Sequence, residues 1–254
     1  MSLSSILLET SHRPWPKPTS PWIMAQSWLD LLFAHWPIPV QTMRALVPEP
    51  LELDLFDGKA WVGVVPFRMA GVRPRAVMPV PWLSAFPELN VRTYVRSRDP
   101  KNPKPGVYFF SLEAANPVAV WIARTTFKLP YFNAVMSCQD DGKQICYRSQ
   151  RTHRNAPKAN FAARYWPTGA PYVAQAGTLE RWLTERYSLY TVHQGRVYIG
   201  EIHHIPWPLQ PAEAEFEVNE MAAASGIELP ATKPLLHFAR RIDVAVWQLR
   251  RLRE

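Results

Sequence analysis

Lys128 raises the first chemical question. It lies in IARTTFKLPYFNA, residues 122–134, four residues after Arg124 and just before Leu129, Pro130, Tyr131 and Phe132. A desolvated amine beside another cation loses its proton easily and attacks carbonyl carbon as a Schiff-base nucleophile. A lysine near a helix end instead extends into water and interacts favourably with the C-terminal dipole. A second set lies in ELNVRTYVRS, which reads as a strand. Glu88, Asn90, Arg92 and Tyr94 then share one face, and Leu89, Val91, Thr93 and Val95 the other. Either face can point inward. A buried carboxylate calls for a partner. Arg92, four strand residues from Glu88 at about 13 Å, is too distant, so Arg124 from another element is the expected cation. In GEIHH, Glu201 and His203 share a face and His204 takes the other. That falls short of the three or four convergent ligands a metal requires, so no metal site is predicted. His203 reads as a proton donor or acceptor, or as a hydrogen-bonded structural histidine near Trp207. ERYSLY places Arg186, Ser188 and Tyr190 on one face, as a polar barrel lining or a solvated surface. No Gly-rich phosphate loop, Ser-His-Asp signature or paired-carboxylate motif stands out, and no cofactor is predicted.

The elements that must position these residues are mostly short. A proline-rich lead-in runs to residue 21. WIMAQSWLDLLFAHW, residues 22–36, reads as a helix with one narrow polar stripe, Gln26, Ser27 and Asp30, ended by Pro37 and Pro39. VQTMRALVP reads as a second short helix. LELDLF, Asp57-Gly58 and KAWVGVVPFRM read as a hairpin. GVYFFSLEA is a strand. Asn116 before Pro117 is a helix start, giving a helix over 117 to about 127. Cys138 and Cys146 flank Asp141-Gly142 in another hairpin. A two-residue turn sets the cysteines diagonally and a three-residue loop sets them opposite. ANFAARYW continues the sheet, and TLERWLTERY is helical near 178–185. YSLYTVH, Gln194-Gly195 and RVYIGEIHHI form a clear hairpin. PWPLQPAEAEFEVNEMAAASG and LLHFARRIDVAVWQL each read as strand or helix. Many short strands without β-α alternation predict an α+β fold with an antiparallel sheet or barrel.

Bulk properties narrow the classes. Twenty-six prolines against ten glycines in 254 residues argue for short, rigidly connected elements and against Rossmann or P-loop nucleotide sites. The net charge of +8 admits nucleic acid or anionic ligands. No basic stripe interleaved with exposed aromatics supports the nucleic-acid reading, and the cluster RRIDVAVWQLRRLRE reads as a basic tail from about residue 248. Two cysteines imply no disulfide framework. MSLSSILLET lacks the basic region of a signal peptide, and no apolar stretch reaches about 18 residues. The expectation is a cytoplasmic protein, not membrane-bound, with one domain over 1–254. A homo-oligomer is left open.

The motifs also resemble a known group. RALVPEPLELDLFDGKAWVGVVPFRM is similar to the opening of acetoacetate decarboxylase-like proteins, and FPELNVRTYV to their next strand. The stretch at 122–134 resembles the decarboxylase active-site segment, in which Gly-Arg-Glu precedes Pro-Lys-Lys; Arg124 and Pro130 match. FDGKAWVGVVPFRM, GVYFFSLEA, ERYSLYT, GEIHHIPWPLQ and PLLHFARRIDV resemble a relative of that group, the YqjF-like family of unknown function, over roughly residues 13–250. The resemblance implies a cone-shaped antiparallel β-barrel flanked by a few helices, with a pocket for an unidentified small molecule. Glu88 matches the pocket glutamate, which favours the polar face of its strand as the inner one. Tyr131 and Phe132 replace the two adjacent lysines, and Pro37 replaces an arginine. A phenol and a phenyl ring cannot form an imine, so the resemblance implies the framework of an amine site without its amines. The pocket residues expected are Glu88, Asn90, Arg92, Arg124, Tyr131, Tyr190 and His203. The function expected is a small-molecule-binding barrel, either an enzyme of lyase or hydratase type without Schiff-base chemistry or a non-catalytic ligand-binding or regulatory protein. A nucleic-acid-associated protein is the less favoured alternative.

Overall fold

Thirteen strands run through the computed structural model, which describes residues 3–80, 82–99 and 103–252. A short helix α1 (Leu3–Leu8) precedes strand β1 (Met24–Ile38), helix α2 (Val40–Leu46), β2 (Leu51–Leu53), β3 (Ala60–Pro74), β4 (Phe86–Ser97) and β5 (Pro105–Ala114). Helix α3 (Pro117–Ile122) continues into a π-helical turn (Ala123–Phe127). Then come β6 (Tyr131–Asp140), β7 (Ile145–Arg151), β8 (Asn160–Pro167), helix α4 (Leu179–Thr184), β9 (Ser188–His193), β10 (Arg196–His203), β11 (Gln210–Asn219), β12 (Leu235–Val246) and β13 (Arg250–Arg251). Nine strands close a barrel in the order β5-β6-β7-β8-β11-β12-β1-β3-β4. The β9–β10 hairpin bridges from β5 to β12 across one side. Among the described residues the pairs are antiparallel except β5–β6 and β5–β9, so the barrel is mixed where the sequence pointed to a purely antiparallel one.

Local signals formed as their chemistry dictates. Asn116 Oδ1 accepts from the amides of Val118 and Ala119, 3.0 and 3.1 Å away, starting α3 with Pro117 at its first position. Gln194 and Gly195 both have positive φ, 52° and 71°, as the turn between β9 and β10 requires. The two ambiguous segments resolve as β11 and β12. The cysteine hairpin turns through 141–144, so Cys138 faces Tyr147 and the cysteines, both free, are neither opposite nor in the expected diagonal. The turn at Asp57-Gly58 forms, with Phe56 and Lys59 exchanging backbone hydrogen bonds. It does not propagate into the predicted hairpin, because β2 pairs with β4 instead, Leu51 opposite Ser97.

The stretch at 22–36 is a strand, not a helix. β1 lies between β12 and β3, with one face packed on each of two cores. Leu32 and Ala34 face Tyr147, Phe161 and Tyr165 of β7 and β8, while Leu31 and Phe33 face Phe67, Leu129 and Trp207. A strand apolar on both faces has no alternation to read. The apparent polar stripe has separate causes: Gln26 enters a cavity, Ser27 Oγ donates to Asp243 at 2.5 Å, and Asp30 is a bulge residue with φ 53°. Between Leu29 and Ala34, β1 has one residue more than β3. Arg68 and Arg240 hold the Asp30 carboxylate at 2.9 and 2.7 Å. The bulge reverses the alternation, so Trp28 and Leu31 line the same cavity.

Described residues near each end of the chain are tied to β10 and its neighbours. Arg13 Nη1 donates to the Ile202 carbonyl at 2.8 Å, and Trp15 Nε1 to Glu201 at 3.2 Å. Arg250 and Arg251 pair with β10, and Arg250 meets Glu201 at 3.1 Å; residues 253 and 254 of the basic tail lie outside the described residues. Among the described residues no helix is long and apolar enough to cross a membrane.

Gly106 lets β9 dock on β5. A Cβ there would sit 2.7 Å from the Ser188 carbonyl oxygen and 2.8 Å from Ser188 Oγ. Gly106→Ala is expected to push the two strands apart and cost about 1–3 kcal/mol, the scale of overpacking. Thermal unfolding checks this, and an unchanged melting temperature would show that β9 tolerates a wider spacing.

Candidate functional site

A cavity of about 280 Å³ opens on the face of β1, β3, β4 and β5 that looks away from β7 and β8. Three walls are apolar: Trp28 and Leu31 from β1, Phe67 and Met69 from β3, Phe109 and Leu112 from β5. Opposite them stand Leu129, the α3 residues Ala119 and Ile122, and Trp207. β4 supplies the polar stripe. Glu88, Asn90 and Arg92 alternate into the cavity, while Leu89 and Val91 on the other face fill the barrel core.

Glu88 is 2% exposed and accepts a hydrogen bond from the Tyr131 hydroxyl at 3.0 Å. Burial raises its pKa to about 8; the Tyr131 bond opposes the rise and the charge of Glu113 adds to it. Glu88 therefore holds a proton at neutral pH. Tyr131 is driven well above the ordinary phenol value by burial and by Glu88, so it too stays protonated. The expected ion pair between Glu88 and Arg124 does not form. Arg124 is exposed, and its Nη1 donates to the Tyr131 carbonyl at 2.6 Å. The π-helical turn and the left-handed Lys128, φ 53°, turn Arg124 outward before β6 begins. Glu88 does without a cation because a buried carboxyl has a second way to avoid an unpaired charge, which is to stay neutral.

Tyr131 and Phe132 separate by strand alternation. Tyr131 faces the cavity, while Phe132 lies under the Arg151 guanidinium, 4.2 Å from it. Arg151 Nε and Nη2 both reach Glu113 Oε1, the former at 3.0 Å, in a buried pair behind the site. Lys128 is half-buried at the turn and does not line the cavity, nor does any other lysine of the described residues.

Two other expected pocket residues lie elsewhere. Tyr190 is buried in the barrel core, its hydroxyl donating to the Lys104 carbonyl at 2.6 Å. His203 Nε2 donates to the Ile6 carbonyl at 2.8 Å, and Arg13 Nη1 lies 3.2 Å from its Nδ1. Burial lowers its pKa to about 4, so it anchors the N-terminal segment as a neutral ring. Its neighbour His204, on the other face, lines the cavity, and so does Arg186. Both stood in recognised motifs, but nothing in the sequence says which of two adjacent residues faces in. Among the described residues no three His, Cys, Asp or Glu side chains converge as metal ligands.

The family model of DUF2071, described as an uncharacterized conserved protein, matches residues 25–243. The chain belongs to this family. The DUF2071 chain is 49% identical over 234 residues to the uncharacterized protein YqjF of Bacillus subtilis strain 168, covering 92% of this chain and 94% of that one. In three dimensions it resembles the acetoacetate decarboxylase of Legionella pneumophila, with a TM-score of 0.61 at 13% identity over 96% of this chain and 93% of that one. It also resembles the enduracididine biosynthesis enzyme MppR with HEPES buffer bound, with a TM-score of 0.63 at 10% identity over 96% and 98%. A second MppR structure, complexed with pyruvate, gives 0.60 at 10% identity over 92% and 91%. At such identities the likeness establishes the acetoacetate decarboxylase-like fold of this DUF2071 member.

Proposed function

We propose that this protein binds a small organic molecule in the cavity beside β4, and that Glu88 exchanges a proton with it without imine chemistry. The observation that carries this reading is a buried Glu88, its pKa pushed up by burial, hydrogen-bonded to Tyr131 in an apolar cavity that no described lysine lines. A carboxyl poised near neutral pH is suited to general acid–base work, as in a lyase or hydratase. Tyr131 keeps its proton and orients Glu88. That MppR is seen with pyruvate supports the use of this fold for a small organic acid, in that protein.

Product formation should be followed over a pool of small organic acids and their enols, with wild-type protein and Glu88→Gln. Turnover that falls by about 10²–10⁴ in the variant, with binding retained, is the expected result. Binding without turnover in the wild type selects the non-catalytic alternative, a binding protein that uses the same cavity. Borohydride added in the presence of acetoacetate is expected to leave the mass of the protein unchanged. A reduced adduct on Lys128 would overturn the non-imine mechanism.

A further inference from the structure

The cavity holds more cationic hydrogen-bonding capacity than the protein itself uses. Arg92 is 8% exposed and makes no ion pair among the described residues. Its Nη2 reaches only the Leu183 carbonyl, at 3.4 Å, and its Nε has no partner. Arg186, 6% exposed, spends Nε on the Trp182 carbonyl at 2.6 Å and Nη1 on Asp54 at 2.5 Å, while its Nη2 is unpartnered. The two guanidinium groups flank one ring, lying 5.8 and 4.9 Å from the centre of Tyr94. Asp54 therefore offsets one of two neighbouring buried charges and leaves the other without a counter-ion.

Other cavity-lining groups are also unsatisfied. Trp207 Nε1 has no acceptor, and Asn90 Oδ1, 4% exposed and between Glu88 and Arg92 on the strand, has no donor. Buried polar groups are ordinarily bonded, and a buried unpaired cation is costly. The residues that carry these atoms all line the cavity, which puts a bound ligand next to them. Arginine's planar fork matches an oxyanion.

At the other end of the polar stripe no cation among the described residues pairs with the carboxyl. Glu88 is there with its proton, bonded to Tyr131, and four residues of strand separate its Cα from that of Arg92 by about 13 Å. The walls between are apolar, Trp28, Leu31, Phe67 and Phe109 among them.

We propose that the ligand is an elongated organic monoanion, of the carboxylate type. Its anionic head sits against Arg92 and the free nitrogen of Arg186, and its uncharged body extends along β4 towards Glu88. This deepens the reading that the cavity is the ligand site and rests on it. The head and the part that meets Glu88 are then different parts of one molecule, so a proton moved by Glu88 is exchanged with the body.

The test compares octanoate, octan-1-ol and octylammonium by titration calorimetry at neutral pH on the full chain. Octanoate is expected to bind more tightly than octanol by roughly tenfold to a hundredfold, the scale of a charge-assisted hydrogen bond, and octylammonium not at all. Arg92→Met should remove that advantage and leave octanol binding as it was. Arg92→Lys, which keeps the charge and loses the fork, should retain part of it, and serves if the methionine variant fails to fold. Equal affinity for octanoate and octanol, or octanoate binding undiminished in the folded Arg92 variants, overturns the head-group assignment and leaves the cavity reading standing. Failure of all three probes to bind overturns both.

Discussion

Arg151→Leu is expected to destabilise the protein by about 3–5 kcal/mol, the scale on which a buried pair is broken by removing one partner. Glu113 is fully buried, and Arg151 meets its Oε1 through two nitrogens. Ser111 Oγ adds a 3.3 Å bond to the other oxygen, and Arg151 Nη1 donates to the Pro157 carbonyl at 3.1 Å. Phe132 closes the pair by packing on the guanidinium. Removing the arginine leaves Glu113, whose pKa burial already raises to about 7, to take up a proton with its best partner gone, and it uncovers Phe132. Removing both charges in Glu113→Leu with Arg151→Leu should restore much of the loss, because apolar replacement of a whole buried pair is often neutral. Urea unfolding reads both, as a lower midpoint at unchanged slope. A loss below about 1 kcal/mol for the single variant would place this pair with weak surface bridges.

The second large effect is the pH dependence that Glu88 imposes. Its folded pKa, about 8, lies above the unfolded value of 4.5. Between those values the folded protein holds a proton that the unfolded chain has released. The stabilisation is complete below pH 4.5 and is lost as pH rises to 8. At about 1.4 kcal/mol per pH unit the loss reaches several kcal/mol. Glu88→Gln cannot ionise and keeps a hydrogen bond to Tyr131. Its stability relative to wild type is expected to rise steadily from pH 5 to pH 8 and then level off. Taking the difference between the two proteins cancels the contribution of His203, which runs the other way as the pH falls towards 4. Equilibrium unfolding at several pH values measures it. A difference that stays constant with pH would mean that Glu88 is ionised throughout this range.

Both predictions turn on surroundings that the residue pattern only partly announces. Strands β4 and β5, the turns at Asp57-Gly58 and Gln194-Gly195, the Asn116 cap and the short helices α2 and α4 were legible, because each depends on backbone preferences and side chains a few residues apart. The quoted motifs carried the family and the barrel. The absence of lysine at 131 and 132, and with it of imine chemistry there, is a statement about residue type and needs no coordinates.

Only the tertiary structure decided the rest. β1 became a strand because it is buried on both faces, which erases the alternation that identifies strands, and its Asp30 bulge is held by arginines from β3 and β12. β2 left its expected hairpin partner because β4 offered a longer-range edge. His204 rather than His203, and Arg186 with Arg92, came to face one cavity because the β9–β10 hairpin crosses over β5 and β12. Glu88 stayed neutral instead of finding Arg124, because a pKa is a property of the dielectric and the neighbours around a group, which long-range packing assembles and local sequence does not encode.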